Sequence, residues 1–182
     1  MYVNRNYFLV IIFAFGALNA LEMQPSKGNG YLFSIRTCNA NYRDENLNDC
    51  RSITIDANLD DWEGRKPTIG LTNPWEEGGK DNTEFDYKIV DTCFYFYFKV
   101  KDSTLTIIPF INELSVAQGD RVELFFSPTE NLENYYCVEI GPNGNVLDYS
   151  AIYYRKFNEI WDLKSLVCKT LVSDNNYVVE GK

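Results

Sequence analysis

The stretch Cys93-Phe-Tyr-Phe-Tyr-Phe-Lys-Val-Lys101 sets an apolar side chain at every second position. A helix would scatter these residues around its axis. An extended strand instead puts Phe94, Phe96, Phe98 and Val100 on one face and Tyr95, Tyr97 and Lys99 on the other. Arg121-Val-Glu-Leu-Phe-Phe126 repeats the scheme, with Val122, Leu124 and Phe126 expected inward and Arg121 and Glu123 outward. Asn134 to Gly141 does so again through Tyr136, Val138 and Ile140. Pro142-Asn-Gly144 then predicts a tight turn, because Asn143 and Gly144 both tolerate positive φ, and Asn145 to Tyr149 reads as the return strand. Shorter strands are expected at Ser52 to Ile55, Phe85 to Val90, Ser165 to Val172 and Tyr177 to Glu180. Phe157, Ile160, Trp161 and Lys164 have helical spacing for only about one turn. Many short strands separated by turns predict an all-β fold, an antiparallel β-sandwich over residues 51–182. Its final strand begins at Asn176 and meets the end of the chain, so the sandwich is expected to be truncated there.

Composition removes whole classes of chemistry. The 182 residues include no histidine. Ser-His-Asp and Cys-His relays, His-bearing zinc sites and proximal-His haem are therefore excluded. The 26 acidic residues outnumber the 17 basic ones, for a net charge of −9, and no basic stripe interrupts them. Such a chain repels phosphate backbones, which sets nucleic acid aside as a partner.

Residues 7–18 form an apolar run behind a head whose only charged side chain is Arg5. It falls short of the roughly 20 residues that span a bilayer and ends in small residues, the pattern of an export signal, with cleavage expected after Ala20. Residues 21–50 read as a polar extension with an edge strand at Tyr31 to Ile35. Export places the chain in a secreted, periplasmic or cell-surface setting, where its five cysteines can oxidise. Cys38 and Cys50 bracket a polar loop, and a bridge closing it would stabilise by about 3 kcal/mol. Cys93, Cys137 and Cys168 lie in strand-like runs and are expected to be small buried hydrophobes. An odd count leaves at least one thiol unpaired or bonded to another chain.

Four segments occur in order: Ile53-Thr-Ile-Asp-Ala-Asn-Leu-Asp-Asp-Trp62, Cys93 to Asp102, Gly119-Asp-Arg-Val-Glu-Leu-Phe-Phe-Ser-Pro128, and Tyr136-Cys-Val-Glu-Ile-Gly-Pro-Asn-Gly-Asn-Val-Leu-Asp148. Together they resemble the family 9 carbohydrate-binding modules, whose members open with Ile-Asp-Gly-x-Leu-Asp and a following Trp. The family continues with a Leu-Tyr-Phe-x-Phe-x-Val-x-Asp strand, a Gly-Asp-x-Val-Glu-x-Phe strand and an Asn-Pro-x-Gly hairpin. The likeness covers residues 52–182. It implies a β-sandwich that binds polysaccharide or oligosaccharide without catalysing anything, in support of a glycoside hydrolase carried elsewhere. The family's last strand usually runs on to an Ile-Pro, which the resemblance takes as a further sign of truncation.

A pyranose offers apolar C–H faces and a hydroxyl rim, so its site needs flat aromatic walls edged by carboxylates and amides. Burying roughly 100 Å² of sugar face contributes about 2.5 kcal/mol. Rim hydrogen bonds at about 1 kcal/mol each carry affinity from the millimolar toward the micromolar range. Trp62 lies in the recurring Leu-Asp-Asp-Trp segment and reads as packing. Trp161 and Trp75 lie between strands and are the candidate walls, with Asn73, Glu76, Arg155, Asn158 and Glu159 as polar partners by adjacency. Asp56, Asp60 and Asp61 invite calcium, but their spacing lacks the looped Asp-x-Asp-x-Asp-Gly pattern, and turn chemistry is the simpler role. No cofactor is expected. The competing readings are a small glycosidase using a carboxylate pair, a haem-carrying sandwich with only Met1 and Met23 to offer, and a surface adhesion domain without a ligand.

Overall fold

The computed structural model describes the side chains of residues 53–64, 66, 67, 69, 70, 82–90, 93–128, 133–152 and 156–182. It also describes the backbone of four strands that fall partly or wholly outside those ranges. The fold is all-β, with two mostly antiparallel sheets. A seven-stranded sheet has the order β10-β9-β8-β7-β1-β3-β2 and a five-stranded sheet the order β11-β12-β6-β5-β4. The strands are β1 Phe8–Phe15, β2 Leu21–Pro25, β3 Gly30–Thr37, β4 Ile69–Thr72, β5 Asn82–Val90, β6 Cys93–Lys101 and β7 Arg121–Ser127. They continue with β8 Asn134–Ile140, β9 Val146–Ile152, β10 Lys156–Asn158, β11 Cys168–Ser173 and β12 Asn176–Gly181. The helical segments among the described residues are two 3-10 turns, Leu59–Trp62 and Glu113–Gln118. No described helix is long and apolar enough to cross a membrane.

The chain divides into two compact units, each built on one sheet. In the five-stranded unit, β6 pairs antiparallel with β5 and β12. One face carries the cross-strand row Phe85, Phe98 and Val179, all fully buried. The rings of Phe85 and Phe98 lie 4.8 Å apart. Phe96 sits opposite Gly181, and a Cβ added there would come 2.5 Å from the Phe96 ring, so only glycine lets the ring cross the strand. The opposite face departs from simple alternation. Tyr97, expected outward, is 6% exposed and lies between Asp86 and Glu180 in the neighbouring strands.

The cover over Tyr97 and Glu180 is the segment from Ile53 to Trp62. The Trp62 ring meets Tyr97 edge-on at 4.9 Å, and its Nε1 donates to Glu180 Oε1 at 2.9 Å. The Asp56 and Ala57 amides donate to Glu180 Oε2 at 3.0 and 2.8 Å. Ser52 to Ile55 was expected as a strand, but Ile53 to Ile55 does not join a ladder. Its neighbouring amides go to carboxylates instead, Thr54 N to Asp61 Oδ2 at 2.8 Å among them. Trp62 thus packs, as its position in the segment suggests.

In the seven-stranded unit, β7, β8 and β9 form an antiparallel meander. The register places Val122 opposite Ile140, Leu124 opposite Val138 and Phe126 opposite Tyr136, so the three expected inward sets share a face. Gly141 N donates to Asn145 O at 2.9 Å and closes a three-residue loop, 142–144. Gly144 alone takes positive φ, at 80°, so Asn143 does not need it. One left-handed residue ending a three-residue loop is a common hairpin geometry. The apolar run read as an export signal supplies β1, parallel to β7 on one side and β3 on the other. Tyr31 to Ile35, read as an edge strand, lies in β3 between β1 and β2.

Candidate functional site

Each face of the β7–β8–β9 meander carries a group of chemical interest. Arg121 and Glu123 were expected on a solvated face, but they are 5% and 4% exposed. The physical reason is the 3-10 turn Glu113–Gln118, whose Val116 packs with Cys137, Leu147, Tyr149 and Ala151 and roofs that face. A charge under such a roof survives only with partners. Arg121 Nε reaches Glu123 Oε1 at 3.0 Å and also pairs with Glu139, which stands directly opposite Glu123 across the ladder. Its Nη1 donates to the Ala117 and Gly119 carbonyls at 3.1 Å each.

Burial and the neighbouring Glu139 raise Glu123 to about 8 against the opposing pull of Arg121, and burial raises Glu139 as well. The Cys137 thiol is pushed well up by burial, so it is not an activated nucleophile. Glu123, Cys137 and Glu139 bring their ligand-type atoms within 4.8 Å of one another. The guanidinium already supplies the positive charge there, and the group reads as an internal ionic cluster rather than a metal centre.

On the other face lies Trp161. It is half-buried, and its ring centre is 4.8 Å from that of Tyr136, with 41° between the planes. Tyr136 is 37% exposed. Asn158 pairs with Ser150, and Ser150 with Tyr136, so Asn158, Ser150, Tyr136 and Phe126 form one cross-strand row on the face that Trp161 covers. The short β10 holds Asn158 in that row, and the backbone then turns, with Asn158 Oδ1 accepting from Ile160 N at 3.3 Å. The single helical turn suggested by Phe157, Ile160, Trp161 and Lys164 is a strand followed by this turn.

Asp162 follows Trp161 in the chain, and Asp148 shares a face of β9 with Ser150. Asp148 is buried and accepts from Leu163 N at 3.0 Å, which anchors the chain just beyond Trp161. Burial raises Asp148, the Leu163 amide pulls it back, and Asp162 raises it further. Glu113 is raised by burial and then by Asp148 and Asp162, so these three acids lie within one another's field. Glu159, just before Trp161 and Asp162 in the chain, is exposed.

Of the residues expected at a sugar site, Trp161, Asn158 and Glu159 thus lie in one neighbourhood. Trp75, Asn73, Glu76 and Arg155 lie outside the described residues, as do Cys38 and Cys50. Tyr136 falls on the apolar side of the strand alternation, which carries no sign of the exposure that makes it a wall. Asp56, Asp60 and Asp61 are engaged in turn bonding. Asp56 Oδ1 accepts from Asn58 N at 2.8 Å, Asp61 from Thr54 N, and Asp60 Oδ2 from Asn58 Nδ2 at 3.0 Å. Cys93, Cys137 and Cys168 are free thiols. Cys137 is buried as expected, whereas Cys93 is exposed at the start of β6 and Cys168 is half-buried on the edge strand β11. No protein-family model, curated protein or solved structure matches this chain.

Proposed function

We propose that this chain is an exported, non-catalytic carbohydrate-binding module that holds a neutral sugar ring against Trp161 and Tyr136. The observation that carries the reading is the partly exposed pair of Trp161 and Tyr136, with Asn158 in the same cross-strand row as Tyr136. An indole and a phenol tilted together present apolar area to a pyranose face, while amide and carboxylate groups suit its hydroxyls. The likeness to the family 9 modules supports it from a separate direction. Ala57 holds φ at 65°, a conformation that the glycine of the family's Ile-Asp-Gly segment supplies without strain.

A glycosidase needs two carboxyls facing a substrate. The cross-strand pair Glu123 and Glu139 is buried and paired with Arg121, so it is not open to one. The secreted protein, titrated calorimetrically with neutral xylan, cellulose and mannan oligosaccharides, is expected to bind at least one of them at micromolar to millimolar Kd. Trp161→Ala and Tyr136→Ala should each weaken that binding about tenfold or more with the fold intact. Binding unchanged in both variants overturns the site, and reducing-sugar release by the purified protein overturns the non-catalytic reading.

A further inference from the structure

The roofed face of the seven-stranded unit contains a charge imbalance that the sugar site does not use. Glu123 and Glu139 oppose each other directly across β7 and β8, and both contact the same nitrogen of Arg121. Two carboxylates and one guanidinium sum to one negative charge, all three side chains are buried, and Leu147 stands beside Glu139 in the ladder. Two carboxylates at close quarters in a low-dielectric site do not both ionise readily. We propose that Glu123 and Glu139 share one proton in the folded protein at neutral pH, making this pair a built-in alkaline-sensitive switch in the stability of its sheet.

The other groups facing the pair do not remove the imbalance. From β8, Cys137 is a buried neutral thiol. From β9, Tyr149 is a phenol raised by burial. The 3-10 turn over the face contributes Val116 to the cluster and carbonyl oxygens to Arg121, while its Glu113 lies in the field of Asp148 and Asp162. The neighbouring strand β1, Phe8–Phe15, contains no titratable side chain. Arg121 is therefore the one cation in the described cluster, and a proton supplies the balancing charge. Burial and the facing carboxylate both raise Glu123, against the pull of Arg121.

The sign follows from linkage. In the unfolded chain both carboxyls ionise near the ordinary value of 4.5, whereas in the fold one keeps its proton up to about 8. Between these limits the folded state binds more protons, so stability falls as pH rises and levels off above the folded value. One retained proton makes the unfolding equilibrium constant rise by up to about tenfold per pH unit through the middle of this window, a few hundredfold between pH 5 and 8.

Urea unfolding of the full chain, followed at half-unit steps from pH 5 to 9, tests this. The wild type should show the fall, and Glu123→Gln or Glu139→Gln should remove about one tenfold step per pH unit from it. A wild type with flat stability across this window, or Gln variants that keep its full slope, overturns the proposal. If neither variant folds, wild-type unfolding in unbuffered urea at pH 6.5 should release about one proton per chain, and no release overturns it.

Discussion

Glu180 offers the sharpest test of how the segment from Ile53 to Trp62 is held. Its carboxylate is fully buried and accepts three hydrogen bonds, from Trp62 Nε1 and from the amides of Asp56 and Ala57. In Glu180→Ala all three donors lose their acceptor. Asp56 is exposed and its amide can turn to water, but the indole N–H of Trp62 and the amide of buried Ala57 cannot. Stranding a buried donor costs about 1–3 kcal/mol. Two such donors, together with the lost packing under Trp62 and set against the relief of desolvating a carboxylate, give an expected loss of about 3 kcal/mol. Glu180→Gln retains one carbonyl but turns an NH2 toward a donor, and about 2 kcal/mol is expected.

Urea denaturation at pH 7, with indole fluorescence and near-UV circular dichroism as readouts, measures both losses. Trp62→Phe combined with Glu180→Ala in a double-mutant cycle should return a coupling of about 1 kcal/mol. A loss under about 1 kcal/mol in Glu180→Ala, or no coupling, would refute the argument that this one carboxylate ties the segment to the sheet.

Gly181→Ala should destabilise by about 1–3 kcal/mol in the same assay, because its Cβ would lie 2.5 Å from a Phe96 ring that is 2% exposed. Ala57→Gly should stabilise by about 0.5 kcal/mol. It relieves a left-handed alanine costing about 1–2 kcal/mol and gives up a buried methyl of about 0.8 kcal/mol. Lys99→Ala should leave the midpoint unchanged within about 0.5 kcal/mol, since its pair with Glu84 is 3.9 Å long and both side chains are substantially exposed. Amino-terminal sequencing of protein recovered from an exporting host should begin at Leu21 if the apolar run is removed as a signal.

Much of the all-β architecture was legible from period two. The run at Phe94, Phe96, Phe98 and Val100 became β6, and the Val122 and Val138 sets became paired strands with their apolar residues on a common face. Turn residues located the β8–β9 hairpin, although only Gly144 needed its special conformation. The candidate site was less legible. Trp161 and Asn158 stood out as a loop aromatic and a neighbouring amide. Tyr136 did not, because a tyrosine at an inward strand position looks the same whether the sheet end above it is closed or open.

The sequence by itself determined which segments extend and which residues of each strand share a side, because alternation is a property of neighbouring positions along one chain. Only the tertiary structure decided how many sides are covered. Arg121 and Glu123 read as solvated, and Tyr97 as outward, until Val116 and Trp62 were seen to lie over them. A charge in water and a charge under a roof have the same local sequence. What separates them is a partner such as Glu139 or Glu180, brought close by strand pairing across distances that no local pattern encodes.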